Sequence, residues 1–234
     1  MRQTIRQIAS LLLAAWLTGS SLPGQAQTAP PAAEPKTLLA TVLELKADTE
    51  RGEAEFAAQY CSRCHRKDAS GRSASQTPRL SGQHATVIIK QVLDIRSGLR
   101  HNPPMKPLVS EEKLSLQTLA DIAAHLQALP VSGTIAIGPG SGVARGKTLF
   151  ARDCAGCHGA DGEGNASIFV PMVAAQHYAY LLRELEFIRN GERGNSNPAM
   201  ASLLKTYAQD DLQAVADYLA QSPAPRLQKA AGLP

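Results

Sequence analysis

Apolar residues recur at helical spacing in several separate stretches, and no stretch shows the alternation of a half-buried strand. Residues 84–98 place Val87, Ile88, Val92 and Ile95 on one helix face, with Gly98 where a helix can end in a left-handed turn. Residues 111–129 carry a second stripe, Leu116, Leu119, Ile122, Ala123 and Leu126, closed by Pro130, which cannot continue a helix. A segment over 48–62 holds Phe56 and runs into a cysteine pair. The same three helices are predicted again over 144–156, 177–191 and 209–221, with Gly191 and Pro223 as the matching stops. Ahead of them, 37–47 places Leu38, Leu39, Val42, Leu43 and Leu45 at partly helical spacing. That segment either packs on the domain beside it, the simpler use, or docks a partner or a membrane surface.

This recurrence is an internal duplication. Cys61 matches Cys154, Pro78 matches Pro171, Gln83-His84 matches Gln176-His177, and Arg96 and Arg100 match Arg189 and Arg193, all at an offset of 93. Met105 matches Met200 at an offset of 95, so the second copy has a longer segment before its Met. Repeats of this length point to duplication of a whole all-α domain. The chain divides into a signal peptide (1–26), a linker that can carry an extra helix (27–47), domain 1 (48–130), a Gly-rich connection (131–142), domain 2 (143–223) and a tail (224–234).

Residues 1–26 read as an export signal. Arg2 and Arg6 precede a short apolar run, Ile8 to Leu17, and Gly24-Gln25-Ala26 is a small-residue cleavage site. The run is too short to span a bilayer as a mature helix. The expectation is a cleaved signal and a periplasmic protein. Of the 24 Lys and Arg, set against 20 Asp and Glu, two fall in that signal. The remainder is close to neutral, which gives no support to nucleic-acid binding. Four Phe, five Tyr and one Trp leave two small units with thin cores. A buried prosthetic group in each unit would supply the missing apolar mass.

The four cysteines name that group. Cys61-Ser62-Arg63-Cys64-His65 and Cys154-Ala155-Gly156-Cys157-His158 both read C-x-x-C-H, the attachment motif of c-type haem. Two cysteines three apart on a helical turn can each form a thioether to a haem vinyl group, and the next residue, His65 or His158, lies under the iron as proximal ligand. A zinc site would pair two C-x-x-C units in one tetrahedron, whereas here each pair carries its own His. The expected cofactors are two covalently bound haem c groups. For the sixth iron position, each copy offers a Met in a Pro-containing loop: Met105 in Asn102-Pro103-Pro104-Met105 and Met200 in Asn197-Pro198-Ala199-Met200. A thioether is a soft ligand that raises the reduction potential. Met172 has no Met counterpart in the first copy. Of the remaining histidines, His101 is a competing ligand, His84 and His177 are expected at the surface or as helix caps, and His125 is matched by Tyr218. The carbonyls of Pro78 and Pro171, each thirteen residues after the haem His, either accept the other N–H of that His or sit in a plain turn. Arg96, Arg189, Arg100 and Arg193 are either partners for haem propionates or solvated cations.

The order C-x-x-C-H, Pro, (Gly/Ala)-Gln-His, Ile-Arg-x-Gly-x-Arg, Met and terminal helix, twice over about 50–223, resembles the dihaem cytochrome c4 family. The resemblance implies two tandem class I cytochrome c domains, each wrapped around one haem, with ligands at His65, Met105, His158 and Met200, and electron transfer in the periplasm. One departure stands out. The second copy continues His158-Gly159-Ala160-Asp161-Gly162, as the family does. The first continues His65-Arg66-Lys67-Asp68-Ala69. Arg63, Arg66, Lys67 and Arg72 form a basic cluster beside the first haem motif, either a docking patch for an acidic partner or solvated charge.

The function expected is an electron carrier and not an enzyme, passing single electrons from a donor dehydrogenase or membrane complex to an acceptor oxidase or reductase. The alternatives are a haem subunit of a sulfide- or alcohol-oxidising complex, or a dihaem peroxidase. A peroxidase must open one iron position, and a Met in each copy argues against it.

Overall fold

The computed structural model describes residues 35–131 and 133–225. The expected signal peptide lies outside the described residues. Among those described there are ten α-helices and no strand; pairing is limited to two isolated bridges, Arg72 with Thr77 and Asn165 with Val170. The helices are α1 (Pro35–Leu43), α2 (Thr49–Ala58), α3 (Cys61–His65), α4 (Ala85–Ser97), α5 (Leu116–Ala128), α6 (Val143–Asp153), α7 (Ala155–His158), α8 (Tyr178–Asn190), α9 (Pro198–Leu204) and α10 (Gln209–Gln221). None is long and apolar enough to cross a membrane.

The expected first helices do not run unbroken into the cysteine motifs. In the first copy α2 ends at Ala58, Tyr60 turns left-handed at φ 61°, and α3 begins at Cys61. In the second copy Cys154 lies between the helices, as C-cap of α6 and N-cap of α7. The break lets the motif turn away from the helix that precedes it. The last helix of the first copy is also shorter than predicted, because Ser115 accepts a hydrogen bond from Thr118 N at 3.0 Å and fixes the start of α5. Helix α9 is an additional element in the second copy, beyond the three helices its sequence pattern predicts. It accounts for the longer segment before Met200: Asn197 caps it and Pro198 occupies its first turn. The first copy has only a 3₁₀ turn, Lys106–Leu108, at that place.

Each copy has its own apolar cluster. Phe56, Ile89, Leu93, Ile95, Leu119 and Leu126 are buried in the first, and Phe150, Leu181, Ile188, Leu212, Val215 and Leu219 in the second. Helix α1 packs on α4 and α5, with Val42 fully buried and Leu38, Leu39 and Leu43 against the first cluster. Its apolar side chains are therefore used inside the chain. In each copy the first helix crosses the last at a glycine. A Cβ on Gly52 would come within 2.1 Å of the Asp121 carbonyl oxygen, and one on Gly146 within 1.9 Å of that of Ala214. His125 and its counterpart Tyr218 serve one purpose, packing on Phe56 and Phe150 with ring centroids 6.1 and 5.6 Å apart.

The two copies meet through buried polar contacts. Arg100 and Arg193, one from each copy, both donate to Glu184 Oε2, at 3.0 and 2.8 Å, and Arg183 donates to Glu184 Oε1 at 2.6 Å. Burial opposes ionisation of Glu184, but Arg100 and Arg193 outweigh it and hold the carboxyl below the usual range. Arg96, by contrast, ties α4 to the loop beyond Met105 by donating to the carbonyls of Val109 and Leu114 at 2.7 and 2.6 Å.

Two stability effects follow. Gly146→Ala forces a methyl against the α10 backbone and is expected to cost about 2–3 kcal/mol, the range of overpacking without room to relax, measured by denaturant unfolding. Glu184→Gln leaves the guanidiniums of Arg100, Arg183 and Arg193 without the carboxylate they share and is expected to cost about 3 kcal/mol. A depressed carboxylate pKa gives its full stabilisation above the unfolded value and loses it as pH falls through the lower folded value, so the Glu184 contribution begins to fall below about pH 4. The difference between wild type and Glu184→Gln should therefore shrink in a melt at pH 3.

Candidate haem sites

The short helices α3 and α7 present the cysteines and histidines on single turns. Cys64 and Cys157 are exposed, Cys61 and Cys154 are half-buried, and all four thiols are free. Cys61 packs on the first apolar cluster and Cys154 on the second. Burial pushes both of these thiols up to about 11, so they rest as neutral thiols. Among the described residues, no three His, Cys, Asp or Glu side chains converge into a cage for a bare metal ion.

His65 is buried, and its Nδ1–H donates to the Pro78 carbonyl at 3.0 Å; His158 Nδ1–H donates to the Pro171 carbonyl at 3.1 Å. A proton held on Nδ1 leaves Nε2 as the unprotonated donor of each ring. Burial lowers the pKa of both histidines, against the raising effect of the proline carbonyls, so the neutral, ligating form prevails at neutral pH. Met105 packs on the same apolar cluster as Cys61, and Met200 on the same cluster as Cys154. The Asn-Pro-x-Met turns are alike, since Asn102 and Asn197 Oδ1 accept the N–H of Met105 and Met200, each at 3.4 Å. Each copy thus combines a free cysteine pair, an imidazole with one open nitrogen and a thioether against one apolar cluster. That donor set fits a covalently attached haem with an axial His and Met. Met172 is placed differently: it is buried between the copies and its backbone is bonded to Gln83. His101 is exposed.

The loop after the first motif keeps the backbone of the second despite its different sequence. Arg66 takes φ 68° and ψ 164° where Gly159 takes φ 78° and ψ 158°, a region that glycine favours. Ala69 and Gly162 are also both left-handed, at φ 54° and 70°. The substitution therefore changes charge and not path. Arg63 on α3 and Arg66, Lys67 and Arg72 on this loop are exposed and line one concave surface, with Asp68 the acid among its described lining residues.

His84 and His177 do not cap helices α4 and α8, although each sits at the N-cap position. Their Nε2 atoms bond across the molecule, His84 to the Glu163 carbonyl and His177 to the Ser70 carbonyl, both at 2.8 Å. His177 Nδ1 accepts from Ala136 N at 3.1 Å, which fixes its proton on Nε2. The residues that sequence reasoning left without a role are Gln83 and Gln176. Gln83 pairs with both backbone groups of Met172, at 2.9 and 3.0 Å, and Gln176 with both of Arg79, at 2.9 and 3.0 Å. Their repetition at the same offset as the prolines was the available signal. Arg79 is 3% exposed and its side chain bonds to the carbonyls of Ala174, Ala175 and Ser81; burial lowers its pKa to about 10, leaving it charged at neutral pH.

Residues 143–223 match the family model described as cytochrome c, and residues 47–126 match that described as cytochrome C oxidase, cbb3-type, subunit III. The chain is 37% identical over 182 residues to a thiosulfate dehydrogenase electron acceptor from Stutzerimonas stutzeri, covering 73% of this chain and 82% of that protein. It is 31% identical over 182 residues to cytochrome c4 from Pseudomonas aeruginosa, covering 74% of this chain and 87% of the relative. The crystal structure of reduced recombinant cytochrome c4 from Pseudomonas stutzeri superposes with a TM-score of 0.66 at 27% identity, covering 75% of this chain and 98% of that one. With its all-helical duplicated fold and two C-x-x-C-H motifs, the chain belongs to the cytochrome c4 family of dihaem class I cytochromes c, electron-transfer proteins that carry covalently bound haem c.

Proposed function

We propose that the chain is a periplasmic one-electron carrier in which His65 and Met105 hold the iron of one haem and His158 and Met200 that of the other. Cys61 with Cys64, and Cys154 with Cys157, would supply the thioethers. The observation that carries this reading is the duplicated bond from His Nδ1–H to a proline carbonyl. It leaves one nitrogen of each ring for iron and fixes the ring's orientation. The haems supply the redox change. The chain's residues keep the iron coordinated on both sides, exclude water from it and hold both sites in one body. A soft thioether in the sixth position favours Fe(II) and a high potential, which suits an acceptor of electrons from a dehydrogenase. A Met on each apolar cluster also leaves no iron position open for peroxide.

The donor class we infer is an exported oxidoreductase, such as one oxidising thiosulfate; the 37% identical relative named as an electron acceptor of that kind supports this. The exposed basic surface of Arg63, Arg66, Lys67 and Arg72 beside the Cys64 end of the first motif supplies a docking face for an acidic partner. The export signal read at residues 1–26 and the extracytoplasmic chemistry of c-type haem attachment support the location.

Met105→His and Met200→His should each lower one of the two reduction potentials, measured by spectroelectrochemical titration. A variant that moves neither excludes that Met as ligand. The reduced wild-type protein should bind carbon monoxide slowly at both haems; rapid binding at one would mark an open site. Replacing Arg66 and Lys67 with Glu should slow electron transfer with an acidic partner several-fold at low ionic strength, with the difference fading as salt is added. Unchanged rates at low salt would exclude that face.

A further inference from the structure

The peptide group between Pro78 and Arg79 has both of its polar atoms committed. Its carbonyl accepts from His65 Nδ1–H at 3.0 Å, and its N–H donates to Gln176 Oε1 of the other copy at 2.9 Å. The peptide between Pro171 and Met172 repeats this arrangement. Its carbonyl accepts from His158 Nδ1–H at 3.1 Å, and its N–H donates to Gln83 Oε1 at 3.0 Å. The amide hydrogens of the glutamines complete the pairing, Gln176 Nε2 donating to the Arg79 carbonyl at 3.0 Å and Gln83 Nε2 to the Met172 carbonyl at 2.9 Å. Gln83 and Gln176 are 9% and 5% exposed. Only a primary amide can both donate and accept in this geometry; a carboxylate would face a carbonyl, and an apolar side chain would leave a buried N–H unpaired.

We infer that Gln83 and Gln176 are positioning residues that act across the molecule: Gln176 sets the strength of the His65 hydrogen bond and Gln83 that of His158, so each half tunes the iron ligand of the other. The inference rests on the reading of His65 and His158 as haem ligands. The physical link is one peptide group. When its N–H donates to a good acceptor, the amide polarises and its carbonyl becomes a better acceptor. The imidazole bonded to that carbonyl gains anionic character, which strengthens the ligand and favours ferric iron. A glutamine in one half therefore lowers the potential of the haem in the other half, and separating the halves removes that influence from both sites.

The test uses the full-length haem-loaded protein and isotope-labelled histidine. In the reduced wild type, the Nδ1–H signals of His65 and His158 should lie in the region shifted upfield by the haem ring current. Their absence from it would overturn the ligand assignment itself. With the signals in place, Gln176→Met should shift the His65 Nδ1–H signal upfield and speed its exchange with solvent, leaving His158 unaffected. It should also raise the potential of the first haem alone, as followed by NMR redox titration of the individual haem methyl signals. Gln83→Met should do the same to His158 and the second haem. Gln176→Glu restores an acceptor for the Arg79 N–H and should return the first potential to the wild-type value or below. If the halves stay docked and the methionine variants move the haem of their own half, move both equally, or leave both Nδ1–H signals in place, the glutamines are structural only and the inference fails. Should Gln176→Met separate the halves, both haems would shift together; the conservative Gln176→Asn then decides, since a tuning role still predicts a change confined to the His65 signal and a structural role predicts none.

Discussion

One hydrogen bond in each copy holds the imidazole proposed as iron ligand, and the rest of this molecule is arranged around that hold. His65 and His158 each give Nδ1–H to a proline carbonyl thirteen residues further on. That carbonyl must stay in place, so the chain after each motif folds through left-handed turns and an isolated bridge, Arg72 with Thr77 or Asn165 with Val170, before returning to the His. Each turn is then anchored to the last helix of its own copy. Gly82 N donates to the Leu126 carbonyl at 2.8 Å and Ala175 N to the Leu219 carbonyl at 3.0 Å. Those last helices are located in turn by the glycine crossings at Gly52 and Gly146.

The duplication is not symmetrical where it matters electrostatically. The residue after Pro78 is Arg79, a buried cation whose side chain bonds to carbonyls; the residue after Pro171 is Met172, a buried thioether. The residue after His65 is Arg66 and that after His158 is Gly159, on the same backbone path. Arg66 thus adds a positive charge beside the first motif that the second lacks, while the Arg79 guanidinium sits between the copies on the carbonyls of Ala174 and Ala175. A nearby fixed cation disfavours ferric iron, so the two sites differ in electrostatics while sharing one fold and one set of donors.

Much of this was legible in the sequence. The helical stripes in 84–98 and 111–129 gave α4 and the body of α5, and the fixed offset of 93 gave the duplication. Where the reading missed, the cause was local backbone geometry or long-range pairing. Nothing in residues 48–62 announces the left-handed Tyr60 that separates α2 from α3, since aromatic residues rarely adopt that conformation. Helix α9 is short, and its Asn-Pro start also reads as a turn. His84 and His177 stand at helix starts, where a cap is the local expectation; their actual partners, Glu163 and Ser70, are 79 and 107 residues away. Gln83 and Gln176 carry no local signature at all, because their role exists only when two copies face each other. Repetition in step with the prolines was the one mark they left.

The proposed protein holds two haems in one chain, each with the same pair of axial ligands. Near-infrared magnetic circular dichroism of the oxidised protein, combined with haem quantitation, tests it most directly, because that spectrum separates His/Met from His/His and from high-spin coordination. The account predicts two haems per chain and a purely low-spin His/Met signal whose intensity matches both. A high-spin component, a His/His component, or intensity for only one His/Met haem would contradict it.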